Sequence, residues 1–447
     1  MKEYYNFFEF FNNSDCFVFR GINLSKYYYD YYVSKSLKSD TKARYLKNCD
    51  RKINPISLFY SITKLIYITL QKRKRILFFG ASNRISKIKN RNFDFYNYRV
   101  IKDIGINNVI IIQDKREKIQ NKIFSANLYK SDFVILIKLI EIIISIIHYN
   151  EIKCFCKNID NSSTSTPISK KECKIRLLKF YSEYIFFNKL IKLISPRKAI
   201  LICHYSKEPF IASCKHYGIK VIEFMHGQIL PEHPYYNNRN ISEEFSRAFK
   251  HLIPDYIGVY GNYWKESLIN GKIFKESTII NIGYYIKAPL YKSKNNYTKR
   301  KLIVISSSPQ VQDEIISYLK YLQKRLNNEE WKIIIKPHPS EDFSKYYEII
   351  DNKFLYLRMI DIYKLLSKCD IHIGTLSTVI FEAIRFNVKN YVLFIDRYKH
   401  YCEYIVSSGV AEKLDFFDIP KLNNNFQVDR IKFFDNYKYE KIRKLLD

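Results

Sequence analysis

Residues 199–225 read AILICHYSKEPFIASCKHYGIKVIEFM, and this stretch decides the fold. The short apolar run 199–203 predicts a buried strand, the residues from Glu208 to Tyr217 predict a helix, and the run 219–225 predicts a second strand. Short apolar strands that alternate with helices are typical of a parallel sheet with helices on both faces.

The same alternation continues on both sides of this stretch. Further strands are predicted at 76–80, 109–112, 255–260, 279–283, 301–306, 331–336, 354–357, 370–374 and 390–395. A polar stretch at 292–300 separates two such series. The sequence therefore predicts an α/β chain with two doubly wound, Rossmann-like domains that face each other across a cleft. The predicted boundaries are 1–75 for a basic and aromatic N-terminal segment, 76–285 for the first domain and 286–447 for the second.

Composition and charge narrow the classes of partner. The chain has 447 residues, of which 47% are hydrophobic and 27% charged, which excludes a largely disordered chain. The formal net charge of +31 favours anionic partners, namely phosphorylated substrates, an anionic membrane surface or nucleic acid. The basic residues are spread along the chain and form no recognised nucleic-acid motif, so we expect no nucleic-acid partner.

The cysteines and the N-terminus indicate a compartment. Cys203, Cys214 and Cys369 lie in apolar segments and are expected to be reduced core thiols, which suits a reducing cytoplasm. Residues 1–20 show no basic start followed by an apolar run, so no signal peptide is expected.

Two apolar stretches are candidates for contact with a membrane. The run 133–149 carries polar residues at spacings of three and four and is shorter than the ~20 residues of a spanning helix, which favours a buried or interfacial helix. The run 56–70 is followed by the basic cluster 71–75, a pattern that suits an anionic leaflet. The alternative for the second run is a core helix with a solvated end. Two locations therefore stay open for the protein: the cytoplasm, and the inner face of the cell membrane as a peripheral protein.

The first candidate chemical cluster is EFMHGQILPEH at 223–233. His226 follows a strand and precedes Gly227, and an imidazole with a pKa near 6.5 can accept a proton from a hydroxyl group. Glu223 and His233 are supporting candidates, since Glu223 alternates with buried strand positions and can orient the loop. The structural alternative is a histidine bonded to backbone at the end of a strand.

The second and third clusters are KPHPS at 336–340 and DIHIGTLSTVIFEA at 370–383. Two prolines hold the first loop extended, which presents Lys336 and His338 to phosphate oxygens. The third cluster predicts a strand, a turn and a helix whose N-terminus can bind an anion with the hydroxyls of Thr375, Ser377 and Thr378.

These two clusters also have ordinary structural interpretations. The HP loop can be a simple connection, and a serine or threonine at a helix start can be a cap. Glu382 lies one turn into the predicted helix, where a carboxylate can accept hydrogen bonds from ribose hydroxyls or can simply face solvent.

Three segments carry a resemblance to a known family. EFMHGQILPEHPYY (223–236) and PDYIGVYGNYWKE (254–266) resemble the His-Gly loop and the following segment of GT-B transferases of bacterial capsule, lipopolysaccharide and teichoic-acid synthesis. DIYKLLSKCDIHIGTLSTVIFEAI (361–384) resembles the donor-phosphate segment of CDP-glycerol glycerophosphotransferases. The HP and Ser/Thr motifs are also similar to those of bacterial sialyltransferases and Kdo transferases, which use CMP-sugars. The resemblance covers 199–415, about half the chain.

The resemblance implies a glycosyltransferase or glycerophosphotransferase-like enzyme with a GT-B fold. His226 would be the base, and His338, Ser377 and Thr378 would contact the phosphates of a CMP-, CDP- or UDP-linked donor. The first domain would bind a polysaccharide or lipid-linked acceptor and the second the nucleotide donor.

Two departures from the motifs shape the expected mechanism. Many retaining GT-B enzymes carry two glutamates eight positions apart, but here Glu382 is paired with Gly374, which favours inversion. No Asp-x-Asp cluster is visible, so we expect neither a metal nor another cofactor. Three alternatives stay open: a nucleotide-sugar 2-epimerase on the same fold, a basic nucleic-acid-binding protein, and a catalytically inactive scaffold.

Overall fold

The computed structural model describes residues 14–39, 55–70, 75–80, 85–88, 91–94, 96, 98–113, 127–161, 168–231, 233, 235–237, 249–286, 300–351, 354–357, 361–422 and 428–447. The strands are β1 (Val18–Phe19), β2 (Ile22–Asn23), β3 (Ile76–Phe79), β4 (Ile85–Ile88), β5 (Arg91–Asp94), β6 (Val109–Gln113), β7 (Asn127–Tyr129), β8 (Lys198–Ile202), β9 (Lys220–Phe224), β10 (Tyr256–Val259), β11 (Ile279–Asn281), β12 (Lys301–Ser306), β13 (Trp331–Lys336), β14 (Leu355–Leu357), β15 (Ile371–Gly374), β16 (Lys389–Leu393) and β17 (Glu412–Leu414). The helices are α1 (Ser25–Ser39), α2 (Pro55–Leu70), α3 (Tyr98–Ile104), α4 (Val134–Ile147), α5 (Tyr149–Asn161), α6 (Lys170–Ile194), α7 (Glu208–His216), α8 (Asn262–Asn270), α9 (Gln312–Arg325), α10 (Ser344–Tyr347), α11 (Ile362–Leu366), α12 (Val379–Ala383), α13 (Lys399–Ser407), α14 (Arg430–Phe433) and α15 (Tyr439–Leu446).

The chain divides into two compact units. Unit 1 consists of Met1–Leu37, Asp50–Lys287 and Asp435–Asp447, and unit 2 consists of Lys38–Cys49 and Ala288–Phe434. Each unit is built on one parallel sheet, and each is described separately below.

Unit 1 contains a sheet of seven strands in the order β11-β10-β9-β8-β3-β6-β7, with every neighbouring pair parallel. The chain runs outward from β3 to β6 and β7, and then returns to the other side of β3 to add β8, β9, β10 and β11. Strands β3 and β6 are buried along their whole length, as expected when helices cover both faces of a sheet. The topological switch point, where such sheets bind ligands, therefore lies between β3 and β8.

Unit 2 repeats this architecture with six parallel strands in the order β14-β13-β12-β15-β16-β17. Its chain runs from β12 to β13 and β14 on one side, and then crosses to β15, β16 and β17 on the other. The switch point lies between β12 and β15. The two parallel sheets confirm the predicted α/β architecture of two doubly wound, Rossmann-like units.

Part of the N-terminal segment predicted at 1–75 belongs to unit 1. Tyr28 of α1 is fully buried, and its hydroxyl donates a hydrogen bond to the backbone oxygen of Cys173 at 2.8 Å. Ile68 of α2 is part of the core above the unit 1 sheet. Phenol groups combine apolar surface with a hydrogen-bond donor, so a helix as rich in tyrosine as α1 packs without a simple apolar period.

The Ser/Thr-rich stretch 158–171, whose composition is typical of a loop, is partly helical in the structure. Helix α5 continues to Asn161, and α6 begins at Lys170 behind a capping box. The Ser169 hydroxyl accepts the N–H of Glu172 at 3.3 Å, and the Glu172 carboxylate accepts the N–H of Ser169 at 3.1 Å. Residues 162–167 lie outside the described residues, as do 71–74 of the predicted basic cluster and 292–299 of the polar stretch.

The end of the chain differs from the predicted division at 286–447. Residues Asp435–Asp447 belong to unit 1, where the N–H of Tyr284 donates to the backbone oxygen of Asp435 at 2.9 Å. Gly283 has a φ of 72°, and a Cβ atom there would collide with the backbone oxygen of Asn436. A short polar segment that docks by backbone contacts of this kind has no apolar pattern that would predict it.

The described residues contain no helix that is long and apolar enough to cross a membrane. Helix α4, which corresponds to the apolar run 133–149, has 14 residues and buries Ile137 and Ile144 against unit 1.

Candidate functional site

The loop that follows β8 has unusual backbone geometry. Cys203 and Ser206 have φ angles of 66° and 72°, the left-handed region that residues other than glycine rarely adopt. Such conformations cost about 1–3 kcal/mol each and persist where the surrounding structure enforces them. The two strained residues flank His204 and Tyr205, which therefore occupy fixed positions beside the switch point of unit 1.

His204 forms a buried pair with Glu223 of β9. Both side chains are fully buried, and Nδ1 of His204 lies 2.7 Å from Oε2 of Glu223. The other carboxylate oxygen accepts the backbone N–H of His204 at 3.2 Å and the hydroxyl of Tyr236 at 2.5 Å. Burial alone would raise the pKa of Glu223, but the His204 imidazole and the Tyr236 hydroxyl outweigh it and hold that pKa below its usual range. Glu223 is thus ionised at neutral pH and ties three segments together.

His226 and His233 lie around the same loop. The Nε2 atom of half-buried His226 is 3.4 Å from the hydroxyl oxygen of Tyr205. Tyr205 packs between the two histidines, with ring centroids 6.3 Å from His226 and 6.2 Å from His233. Burial, together with the electrostatic interaction with His226 and His204, lowers the pKa of His233 to about 3, so His233 is neutral at physiological pH.

The structure brings together the three residues that the sequence predicted in unit 1, and it adds others. We call the group formed by His204, Tyr205, Glu223, His226, His233 and Tyr236 the histidine cluster. His204 was missed because it directly follows the apolar run 199–203, where only a strand was predicted. The available signal was that His204 and His226 each follow a strand of the same parallel sheet, since the ends of such strands lie at one edge.

Unit 2 carries a row of hydroxyl groups at its own switch point. Ser306, Ser307 and Ser308 at the end of β12 are all buried. Across the switch point, Thr375 donates a long hydrogen bond to the backbone oxygen of Ser306 at 3.4 Å, and its hydroxyl lies 3.5 Å from that of Ser308. Thr375 was predicted from the sequence, but the serines were missed; their signal was the run Ser-Ser-Ser-Pro after a strand.

The loop after β13 is joined to this row through Tyr346. The backbone N–H of His338 donates to the Glu341 carboxylate at 2.6 Å, and the Tyr346 hydroxyl is shared between that carboxylate and the Ser307 hydroxyl. Burial raises the pKa of Glu341 despite these donors. The imidazole of His338 is exposed, with Nδ1 2.7 Å from the hydroxyl oxygen of Ser340. The predicted residues His338 and Thr375 are therefore connected through the serines of β12.

The remaining predicted residues of unit 2 lie nearby in sequence but have weaker geometry. Lys336 is half-buried, donates to the backbone oxygen of Pro337 at 3.1 Å, and has a pKa lowered by burial. The Ser377 hydroxyl accepts the N–H of residue 379 at 3.3 Å, which is the capping interaction of the structural alternative. Thr378 and Glu382 are half-buried. Because α12 has only five residues, its dipole contributes less to anion binding than a longer helix would.

Possible metal ligands do not cluster in the part of the chain that the structure describes. Where the structure describes side chains, no three histidine, cysteine, aspartate or glutamate residues converge in a way that could hold a metal ion. What the candidate site offers within those ranges is a buried carboxylate with three histidines in unit 1, and hydroxyls with a histidine and a lysine in unit 2.

Comparisons with known proteins give similarities at the level of structure. No protein-family model and no curated protein sequence matches the chain. The chain is similar to the UDP-GlcNAc 2-epimerase from Methanocaldococcus jannaschii, with 12% identity, 83% of this chain and 99% of that chain covered, and a TM-score of 0.49. It is also similar to the wall teichoic acid polymerase TagF (15% identity, 88% and 97% covered, TM-score 0.45) and to the calicheamicin glycosyltransferase CalG4 (10% identity, 84% and 90% covered, TM-score 0.43). Since these TM-scores are below 0.5, the description of the fold rests on the two parallel sheets themselves.

Proposed function

We propose that the protein is a glycosyltransferase that moves a sugar or a polyol phosphate from a nucleotide-activated donor to a growing surface polysaccharide or a lipid-linked acceptor. One observation carries the proposal. In each doubly wound unit, polar side chains gather at the carboxyl ends of the strands at or next to the switch point, where such sheets bind ligands. The two groups have different chemistry, since unit 1 offers a base and unit 2 offers hydrogen-bond donors for an anion.

In this proposal His226 is the general base. It is the histidine of the cluster whose Nε2 atom lies near the Tyr205 hydroxyl, whereas His204 is sealed and His233 stays neutral. The ionised Glu223 interacts favourably with a positive charge on His226, so it stabilises the imidazolium formed when His226 takes a proton from the acceptor hydroxyl.

The residues of unit 2 would bind the donor phosphates. The acceptor oxygen attacks the donor carbon or phosphorus, and the bond from that atom to the leaving phosphate breaks with its electron pair on the phosphate oxygen. Lys336, His338 and the hydroxyls of Ser377 and Thr378 would stabilise this charge through hydrogen bonds. A single displacement inverts the reacting centre, as the Gly374 position favours.

The proposal includes a position at the cytoplasmic face of a membrane. The eight cysteines among the described residues are free thiols, which suits a reducing compartment. The net charge of +31 suits an anionic leaflet, where a lipid-linked acceptor would be present.

Replacement of His226 tests the base. With CMP-, CDP- and UDP-linked donors and a lipid-linked acceptor, nucleotide release by His226→Ala should fall by about 10²–10⁴-fold, the usual contribution of a general base. His400→Ala is the matched control, because His400 is a largely exposed histidine of α13 in unit 2. Turnover of His226→Ala near the wild-type rate contradicts the assignment. Conversion of the donor alone, without acceptor, would support a 2-epimerase instead.

Donor affinity tests unit 2 separately. Charge-assisted hydrogen bonds contribute roughly 1.5–3 kcal/mol each, so His338→Ala and Ser377→Ala/Thr378→Val should weaken donor binding by about one to two decades in titration calorimetry. The matching nucleoside, which lacks phosphate, should bind all proteins alike. Ser317→Ala, an exposed hydroxyl of α9, is the control. Equal donor affinities across the variants would refute the phosphate assignment.

A further inference from the structure

Helices α2 and α4 expose much apolar surface on unit 1. Both pack against α6 and against residues 130–133, so they cover the same side of the unit. We define the apolar face as their exposed side chains: Phe59, Tyr60, Ile62, Ile66, Tyr67 and Leu70 of α2, and Val134, Leu136, Leu139, Ile142, Ile143, Ile146 and Ile147 of α4. Ile146 and Ile147 are 71% and 68% exposed. On each helix these side chains recur at spacings of three and four and so form an exposed apolar patch, and large patches of this kind mark interaction sites.

A cavity of about 350 Å³ lies beside this face, between α4, α5 and α6. Ser145, Tyr149, Ile152 and Cys156 line it together with Lys153, Lys157, Lys170 and Lys174. We call it the lysine-rimmed cavity. It borders the apolar face, because Ser145, which lines the cavity, lies one turn from Ile142 of that face on α4.

The lysines stand in two pairs on neighbouring helices. Lys153 and Lys157 are one turn apart on α5, and Lys170 and Lys174 are one turn apart on α6. Among the described residues, only Lys170 has an acidic partner, Asp160 at 2.7 Å. Lys153 and Lys157 have no acidic partner within the described residues, and the Nζ atom of Lys174 lies over the Tyr149 ring, 5.7 Å from its centroid. An anion with an apolar continuation would satisfy these positive charges on a partly apolar wall.

We infer that the apolar face rests on an anionic lipid bilayer and that the lysine-rimmed cavity holds the phosphate of one anionic lipid. The lysines would contact the phosphate, the first methylene groups would lie over Tyr149 and Ile152, and the acyl chains would continue beside the isoleucines of α4. The described helices would lie on the bilayer, since none of them is both long and apolar enough to span it. A second copy on a two-fold axis fits less well, because it would bring two sets of uncompensated lysines close together.

This inference specifies the membrane position included in the proposed function, and it is tested by binding alone. In a flotation assay, the wild-type protein should bind vesicles that contain phosphatidylglycerol and should not bind vesicles of phosphatidylcholine. A lysine near an anionic surface contributes about fivefold to binding, so Lys153→Gln/Lys157→Gln/Lys174→Gln should lower the partition coefficient about a hundredfold.

The matched control removes the same charge from unit 2. Lys320, Lys324 and Lys368 are exposed, and the first two have the same spacing on α9 as Lys153 and Lys157 on α5. Because none of these three lysines lines the cavity, Lys320→Gln/Lys324→Gln/Lys368→Gln should lower binding only a few-fold, through the change in net charge.

A second pair of variants tests the apolar face. Ile146→Ser/Ile147→Ser should abolish flotation, and its unchanged circular dichroism should show that the fold is intact. Leu422→Ser/Ile431→Ser removes two exposed apolar side chains of unit 2 and should bind vesicles like the wild type.

Several outcomes would overturn the inference. An equal loss of vesicle binding in the two lysine variants would show that net charge alone explains the effect and that the cavity has no special role. Self-association without lipid that Ile146→Ser/Ile147→Ser abolishes would show that a second copy covers the face. Displacement from vesicles by millimolar glycerol phosphate would assign the cavity to a soluble phosphate compound. None of these experiments measures sugar or polyol-phosphate transfer. A negative result would therefore refute the membrane inference and would not bear on the proposed function, which the His226 and donor-affinity experiments test.

Discussion

Replacing Glu223 by glutamine should weaken the histidine cluster without changing its size. The carboxylate accepts three hydrogen bonds, two from His204 and one from Tyr236, in a position that is fully buried. Glutamine keeps one acceptor oxygen and replaces the other by an NH2 group. In at least one of the three contacts, this NH2 group would then face another hydrogen-bond donor. His204 can avoid this only by moving its proton to Nε2, which is buried and has no hydrogen-bond partner within the described residues.

The expected cost follows from these three contacts. A hydrogen bond to a charged group contributes about 1.5–3 kcal/mol and a neutral one about 0.5–1.5 kcal/mol, so the loss of charge amounts to roughly 1 kcal/mol for each contact. We therefore expect Glu223→Gln to lower the free energy of unfolding by about 3 kcal/mol, and Tyr236→Phe, which removes one contact, by about 1–2 kcal/mol.

Urea unfolding monitored by circular dichroism measures this difference. Glu403→Gln is the matched control: Glu403 lies on the surface of unit 2, 3.7 Å from Lys399, and exposed pairs contribute at most about 1 kcal/mol. In the transfer assay, Glu223→Gln should lower kcat and leave the KM for the donor unchanged, because Glu223 acts by positioning other residues. A loss of stability below about 1 kcal/mol would refute the assignment of Glu223 as the residue that holds the cluster together.

Three further predictions concern stability alone. Gly283→Ala should destabilise unit 1 by more than Gly218→Ala, since both glycines have positive φ but only Gly283 lies against the C-terminal segment. Thermal unfolding measures the difference, and equal decreases in Tm for the two variants would contradict it. Burial lowers the pKa of His372 from 6.5 to about 4, so the unfolded chain binds a proton between these pH values that the folded protein does not bind. The free energy of unfolding of the wild type should therefore fall by about 2 kcal/mol from pH 7 to pH 5, and that of His372→Gln should not show this fall, as measured by urea titrations at both pH values. Burial and the neighbouring Asp30 raise the pKa of Glu208, so the folded protein keeps a proton that the unfolded chain releases, and wild-type stability should fall as the pH rises above about 4.5. Between pH 6 and pH 8 the free energy of unfolding of Glu208→Gln should fall less than that of the wild type. Parallel plots of this free energy against pH for the two proteins would contradict a buried, protonated Glu208.

The fold was predictable because unit 2 and most of unit 1 follow simple patterns. The apolar runs 301–306 and 331–336 coincide with β12 and β13, and the helix predicted from Glu208 to Tyr217 corresponds to α7. The small strand β17, with the sequence Glu-Lys-Leu, was not predicted, because it is an edge strand whose pairing with β16 depends on contacts distant in sequence.

The candidate site was predictable only in part. Positions after strands identified His226 and Thr375, because parallel strands place their ends at one edge of a sheet, and Glu223 was identified by its alternation with buried strand positions. The link from His338 to the β12 serines through Tyr346 was not predictable, since it depends on a tyrosine eight residues further along the chain that folds back over the loop. Which lysines lack an acidic partner is likewise a property of the folded surface rather than of the sequence.

The return of residues 435–447 to unit 1 means that unit 2 is an insertion within unit 1 rather than a second half that follows it. Expression of residues 1–434 would therefore remove a piece of unit 1, and the backbone groups at 282–284 that pair with this segment would lose their partners. The two ends of the insertion are adjacent, because Tyr284 is hydrogen-bonded to Asp435. A gene in which a short glycine linker replaces residues 287–434 should encode unit 1 as an independent folding module, which would make the histidine cluster accessible to NMR titration in isolation.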